Sequence, residues 1–131
     1  MPGKVAVLTP SAPAPMPVLS QAVICNGMVY VSGSLAIDPS TGRFVEGTVA
    51  DRTDQIFRNI SAILQAAGSS LANIVKVNIF LTEMSNFQTM NEAYAKDIPE
   101  GVKPVRTCVA VKELPFGSDV EIECTAALED A

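Results

Sequence analysis

The chain has 131 residues, 48% of them hydrophobic, enough to bury a core as one domain without disulfides or metal. Nine Lys and Arg against fourteen Asp and Glu leave a net charge of -5, so no broad basic surface exists to release counterions from a phosphate backbone, and nucleic acid is not an expected partner. Histidine is absent, which excludes Ser-His-Asp and Cys-His nucleophile systems and imidazole-ligated zinc.

"VAVLTP", from Val5 to Pro10, is a short apolar strand, and the proline-rich "PSAPAPMP" after it must run extended, because proline fixes φ and cannot join a ladder. "AVICNGMVYVSGSLA" reads as a hairpin. Its Asn26-Gly27 pair suits a type I′ turn, which needs positive φ at both central positions, and β-branched and aromatic residues flank it. "DPSTGR", 38 to 43, is a second turn cluster. From about Val49 the apolar spacing becomes helical, with Ile56, Ile60, Ile63, Leu64 and Ala67 on one stripe and Gly68 as the stop. "IVKVNIFLT" then alternates as a strand, with Val75, Val77, Ile79 and Leu81 on one face and Lys76, Asn78 and Phe80 on the other. Ser85 with Gln88 predicts a capping box, opening a helix that carries Phe87, Met90, Asn91 and Tyr94 on one face and ends at Pro99 and Gly101. "PVRTCVAVKELPFGSDVEIECTAAL", 104 to 128, reads as two strands joined by a turn, with an arginine and two glutamates among core-like residues.

This order argues a single α+β domain over residues 1–131, a mixed sheet with two helices packed on one face. The uncovered face is expected to present Phe80 with Cys108, Ala110, Thr125 and Ala127, small or apolar residues that a soluble monomer rarely leaves to water. Self-association through that face is the natural solution, and a site there would lie between subunits. Three cysteines, Cys25, Cys108 and Cys124, cannot all pair within one chain and lack the spacing of a thiolate metal site, which fits a reducing, cytoplasmic compartment. With no Walker loop, dinucleotide fingerprint or metalloprotease helix, no cofactor is expected. No apolar run suits a secretory signal or a membrane span, so no membrane partner is expected either. Spacing alone leaves Arg106 open between an edge-strand residue snorkelling to water and an anion ligand. Nor does it choose between Glu121 and Glu123, which share a strand face.

Three segments together resemble the Rid family, the reactive intermediate enamine/imine deaminases. "LSQAVICNGMVYVSGSLAIDPSTG" is similar to that family's N-terminal hairpin, "IVKVNIFLTEMSNFQTMNEAY" to its central strand and second helix, and "PVRTCVAVKELPFGSDVEIE" to its C-terminal signature. The last is the most specific, since the proline two before arginine, the "LP" and the acidic "VEIE" strand occur together. The resemblance implies a chorismate-mutase-like α+β fold assembled as a homotrimer, with clefts between adjacent subunits. It also implies hydrolysis of 2-aminoacrylate, 2-aminocrotonate and related enamines and imines to 2-oxo acids and ammonia, a metabolite damage control role.

Carried over by position, Arg106 matches the ligand of the substrate carboxylate, a role suited to the two parallel donors of a guanidinium. Glu121 matches the residue that positions water, Gly33 and Cys108 match positions whose backbone N–H groups hold the ligand, and Ser32 and Asn91 match further pocket positions. Two positions depart from the pattern. Leu19 stands where tyrosine is common and Ser34 where glutamine is frequent, so the cleft gains an apolar wall at Leu19, with an expected preference for imines bearing longer apolar side chains. Those departures also suit a second function class, a regulatory trimer that binds 2-oxo acids without turnover. A translation-inhibitor or ribonuclease role, attached to some relatives, is disfavoured by the acidic charge.

Overall fold

The computed structural model describes residues 3–129. Strands β1 (Val5–Val7), β2 (Ala22–Cys25) and β3 (Met28–Ser34) are followed by a two-residue-arm hairpin of β4 (Ile37–Asp38) and β5 (Arg43–Phe44). Helix α1 (Val49–Ala67), strand β6 (Ile74–Leu81), helix α2 (Phe87–Asp97), β7 (Val105–Ala110) and β8 (Val120–Ala127) complete the order. The main sheet runs β1-β2-β3-β8-β6-β7, antiparallel throughout except for the β6–β7 pair, which is parallel and spanned by α2. The segment 104–128 is thus not a hairpin, because β6 lies between its two strands.

Local chemistry accounts for the elements. Asn26 and Gly27 both take positive φ, 51° and 78°, as the type I′ turn requires. Thr48 and Asp51 form a capping box at the start of α1, the Thr48 hydroxyl accepting from Ala50 N–H and the Asp51 carboxylate accepting from Thr48 N–H. Gly68, at φ 89°, closes the helix while Ser69 N–H donates to the Leu64 carbonyl, a left-handed cap that glycine adopts without strain. At α2 the expected box is not formed. Ser85 sits in a 3₁₀ turn, Met84–Asn86, that runs into the helix, so the helix begins without a side-chain cap. Val75 also departs from expectation. A bulge between Ile74 and Lys76 adds one residue to β6, which puts Ile74 on the buried face and leaves Val75 48% exposed.

The core lies between the sheet and the two helices. Val29, Val77, Ile79, Leu81, Val120 and Ile122 from the sheet meet Ile56, Phe57, Ile60, Leu64 and Met90, all fully buried or nearly so. Cys124 belongs to this layer, and burial, with a smaller contribution from Glu123, pushes its thiol up to about 12, so it stays a neutral packing residue. Asn59, 2% exposed, donates to the carbonyls of Leu35 and Ile37, which ties the end of β3 to α1. Asn59 begins the tripeptide Asn59-Ile60-Ser61, and its burial closes that motif to a glycan.

Register corrects the expected composition of the open face. Ile79 pairs with Cys108 and Leu81 with Ala110, so Cys108 and Ala110 face the helices. Phe80, Thr125 and Ala127 do lie on the open face, joined there by Tyr30, Val105 and Val109. A parallel edge strand can take either face, and only its pairing with β6 fixes which.

The β7–β8 loop is tied to α1 by one ion pair. Arg52 donates from Nε and Nη2 to both carboxylate oxygens of Asp119 at 2.8 Å, and from Nη1 to the Gly47 carbonyl. The fork geometry makes this stronger than an ordinary surface pair, while partial exposure limits it. Asp119→Ala is expected to destabilise the protein by about 1 to 2 kcal/mol in urea unfolding, and Arg52→Ala by a similar amount, with the double variant little worse than either.

Candidate functional site

Arg106 projects from β7 toward α2. Its Nη1 donates to the Asn91 side-chain oxygen, and its guanidinium carbon lies 4.7 Å from the Tyr94 ring centroid and 5.6 Å from that of Phe87. Phe87, Asn91 and Tyr94 recur at helical spacing on one face of α2, so a single helix supplies both the hydrogen-bond acceptor and the two rings. Among the described residues the ion pairs are Arg52–Asp119 and Lys96–Asp54, and Arg106 has no carboxylate partner. A half-buried cation held by neutral groups alone keeps its remaining donors for an anion. Tyr94 is itself held up by an edge-to-face contact with Phe57, the ring centroids 5.7 Å apart.

Cys108, two residues on from Arg106, is half-buried on the same face, and burial raises its thiol above the ordinary range against a lowering by Arg106. Its side chain therefore packs as a neutral group. Its backbone belongs to β7, an edge of the sheet where alternate N–H groups have no strand partner.

Glu121 lies on the other side of the sheet. It pairs with Phe80, and Glu123 with Asn78, so the two glutamates share the open face as their spacing predicts. Their surroundings separate them. Glu123 accepts from the Asn78 amide at 2.9 Å, whereas the Glu121 carboxylate rests against Gly33 so closely that a Cβ at position 33 would overlap it. Gly33 sits where the β3–β8 register shifts between Val31 and Ser34, and close approach of the carboxylate is what requires glycine there. Burial first, and the Glu123 charge second, raise the Glu121 carboxyl above the usual carboxylate range.

Beside Gly33 a cleft opens between the proline-rich segment, the end of β3 and the β7–β8 loop, with Leu19, Ser32, Ser34 and Phe116 among its walls. Gln21, 4% exposed, fixes the segment by accepting from Thr9 N–H and donating to the carbonyls of Thr9 and Pro13. The Ser32 hydroxyl donates to the Ser20 carbonyl at 2.6 Å, so its proton is committed to the residue that follows Leu19. The site residues expected from sequence thus form two groups. Arg106, Asn91 and Cys108 are on the helix face, while Leu19, Ser32, Gly33 and Glu121 gather at the cleft and the open face. The sequence carries no signal for Phe116 or the Arg52–Asp119 clamp, and its helical spacing sets Phe87 and Tyr94 on one face of α2 without assigning them to the guanidinium.

A family model described as Endoribonuclease L-PSP matches residues 9–128. The 2-iminobutanoate/2-iminopropanoate deaminase of Rattus norvegicus is 41% identical over 120 residues, spanning 92% of this chain and 87% of the rat protein. The crystal structure of RidA from an Antarctic Psychrobacter superposes with a TM-score of 0.89 at 40% identity, covering 95% of this chain and 99% of that one. The chain belongs to the Rid family. Within the Rid family the chain is also similar to Escherichia coli TdcF, whose structure holds bound serine, with a TM-score of 0.88, 34% identity and coverage of 94% and 98%. The mixed sheet with two helices on one face is the Rid fold, as the sequence resemblance implies.

Glu123→Gln removes the charge next to Glu121 while keeping an acceptor for Asn78. The Glu121 carboxyl, followed by side-chain carbon shifts across a pH series, is expected to titrate at lower pH in that variant than in the wild type.

Proposed function

We propose that this protein hydrolyses reactive 2-imino and enamine acids, such as 2-aminoacrylate and 2-aminocrotonate, to 2-oxo acids and ammonia, in clefts between the protomers of a homotrimer. The observation that carries the proposal is the guanidinium of Arg106, half-buried between two rings and an amide, with no carboxylate partner among the described residues. Two parallel N–H donors suit a substrate carboxylate. The rat relative's name describes this chemistry, and the serine bound to TdcF is a small carboxylate ligand.

The reaction needs little more than fixation and one proton relay. An enamine first tautomerises in water to its imine, which takes a solvent proton on nitrogen; water then adds to the iminium carbon as Glu121 accepts one of its protons. Glu121 returns that proton to the amino nitrogen of the carbinolamine. As the C–N bond breaks and ammonia leaves, Glu121 takes the hydroxyl proton so that the carbonyl forms, and passes it to the ammonia, giving a 2-oxo acid and ammonium. A carboxyl raised above its ordinary range by burial is a stronger base than an exposed one, which suits Glu121, whereas Glu123 is occupied by the Asn78 amide. Gly33 and Cys108 supply backbone N–H groups to the ligand in this scheme, with Asn91 orienting Arg106.

Arg106 and Glu121 are on opposite faces of one sheet, so a cleft that uses both takes them from two chains. The open face, with Tyr30, Val105 and Val109 exposed on it, supports such an assembly. A trimer that binds 2-oxo acids without turnover is the second reading, favoured by the absence of a hydroxyl at Leu19.

An assay that generates 2-aminoacrylate in situ and follows its loss tests the activity. Arg106→Ala is expected to abolish it, and Arg106→Lys, which keeps charge without the fork, to remain about a hundredfold impaired. Full activity in the lysine variant refutes the bidentate role. Light scattering should give three chains per particle. Co-refolding equal amounts of Arg106→Ala and Glu121→Gln chains, each inactive alone, is expected to restore up to about a quarter of wild-type activity, since that share of the interfaces then pairs an intact Arg106 with an intact Glu121. No recovery would place both residues of a working site on one chain.

A further inference from the structure

Phe116 is a non-glycine residue held in left-handed backbone, at φ 58° and ψ 25°, and Gly117 follows at φ 71°. With Ser118 N–H donating to the Pro115 carbonyl at 3.1 Å, residues 115–118 make a type I′ turn. Glycine, asparagine and aspartate adopt that conformation readily, and a bulky aromatic side chain does so only against strain. Core packing does not offset the strain, because Phe116 is 71% exposed. Strained residues of this kind cluster at ligand sites.

The ring's position gives the strain a use. Phe116 lines the cleft that holds Leu19, Ser32 and Gly33, and Gly33 touches the Glu121 carboxylate. Just after the turn, Asp119 is clamped by Arg52, so the loop that carries the ring is anchored to α1. Around the ring the cleft is mainly hydrocarbon, with Met16, Leu19 and Ile63 among its walls. An aromatic face and a leucine border one opening, with Gly33 between that opening and the carboxylate that would handle water, so an apolar substrate side chain has a place to bury. A substrate ending in a methylene or a methyl group leaves that place unfilled.

Building on the deaminase reading above, we infer that Phe116 is a specificity-determining residue that selects 2-imino acids with branched or long apolar side chains over the smallest ones. Its effect is on side-chain recognition and not on the reacting carbon, so it alters the ratio between substrates and leaves Arg106 and Glu121 in place.

The test uses Phe116→Asn, which tolerates the left-handed backbone without a ring, and Phe116→Tyr, which restores the ring. The imine of leucine, released by an L-amino acid oxidase, is compared with 2-aminoacrylate, and 4-methyl-2-oxopentanoate with pyruvate in calorimetric binding. The asparagine variant is expected to lose about tenfold in the kcat/KM ratio favouring the leucine imine and a similar factor in relative binding, while tyrosine keeps both. Unchanged ratios in Phe116→Asn overturn the inference. A smaller particle mass for that variant also overturns it, since the ring would then serve assembly. If the wild type hydrolyses neither imine but the binding ratio falls in the asparagine variant, the deaminase reading fails and the role of Phe116 in recognition stands.

Discussion

The two-residue period of strand β8 constrains everything else in the molecule. Val120, Ile122, Cys124 and Ala126 point into the helices and are buried, and the residues between them, Glu121 and Glu123 included, therefore point the other way. The core needs the first set on one face, and no side chain can cross. Because β8 is hydrogen-bonded to β3 on one side and β6 on the other, its register passes to both neighbours and, through β6, to β7. The faces assigned to Arg106 and Glu121 are thus consequences of core packing. A chemistry that wants both groups is pushed toward assembly by the same alternation that folds the chain.

Much of the fold was legible because its signals are local. The Asn26-Gly27 turn, the Ile56, Ile60, Ile63 and Leu64 stripe, and the Gly68 stop each depend on residues within a turn or two of one another. What failed depends on distant partners. An alternating run does not reveal that β6 carries an extra residue, so alternation sets Val75 on the buried face that Ile74 takes. The sequence pattern puts Cys108 and Ala110 on the open face because a short edge strand does not declare its own register. Ser85 and Gln88 have the spacing of a capping box, yet the 3₁₀ turn before α2 withdraws the serine from the cap position.

The site divides along the same line. Arg106 stood out because an arginine among core-like residues needs a reason, and the Phe87, Asn91 and Tyr94 spacing on α2 was visible even though its target was not. The assignment of its role, like that of Glu121, rested on the resemblance to the Rid family. The Arg52–Asp119 pair joins residues 67 apart, and the turn at Phe116 has a sequence, Pro-Phe-Gly, that does not advertise a left-handed phenylalanine. Both depend on the path of the loop between β7 and β8, which no local pattern specifies.

Strand β8 follows the sheet's five other strands in chain order and sits in the middle of the sheet, between a block built from the first three strands and one built from β6, α2 and β7. As the chain leaves the ribosome, those two blocks have no strand to join them, and each shows an open edge until residues 120–127 emerge. Closing the sheet is then a long-range event with a high contact order, slow compared with formation of α1 or of the Asn26-Gly27 hairpin. During that interval the nascent chain offers strand edges to other chains, so translation and chaperone capture compete for the same few residues.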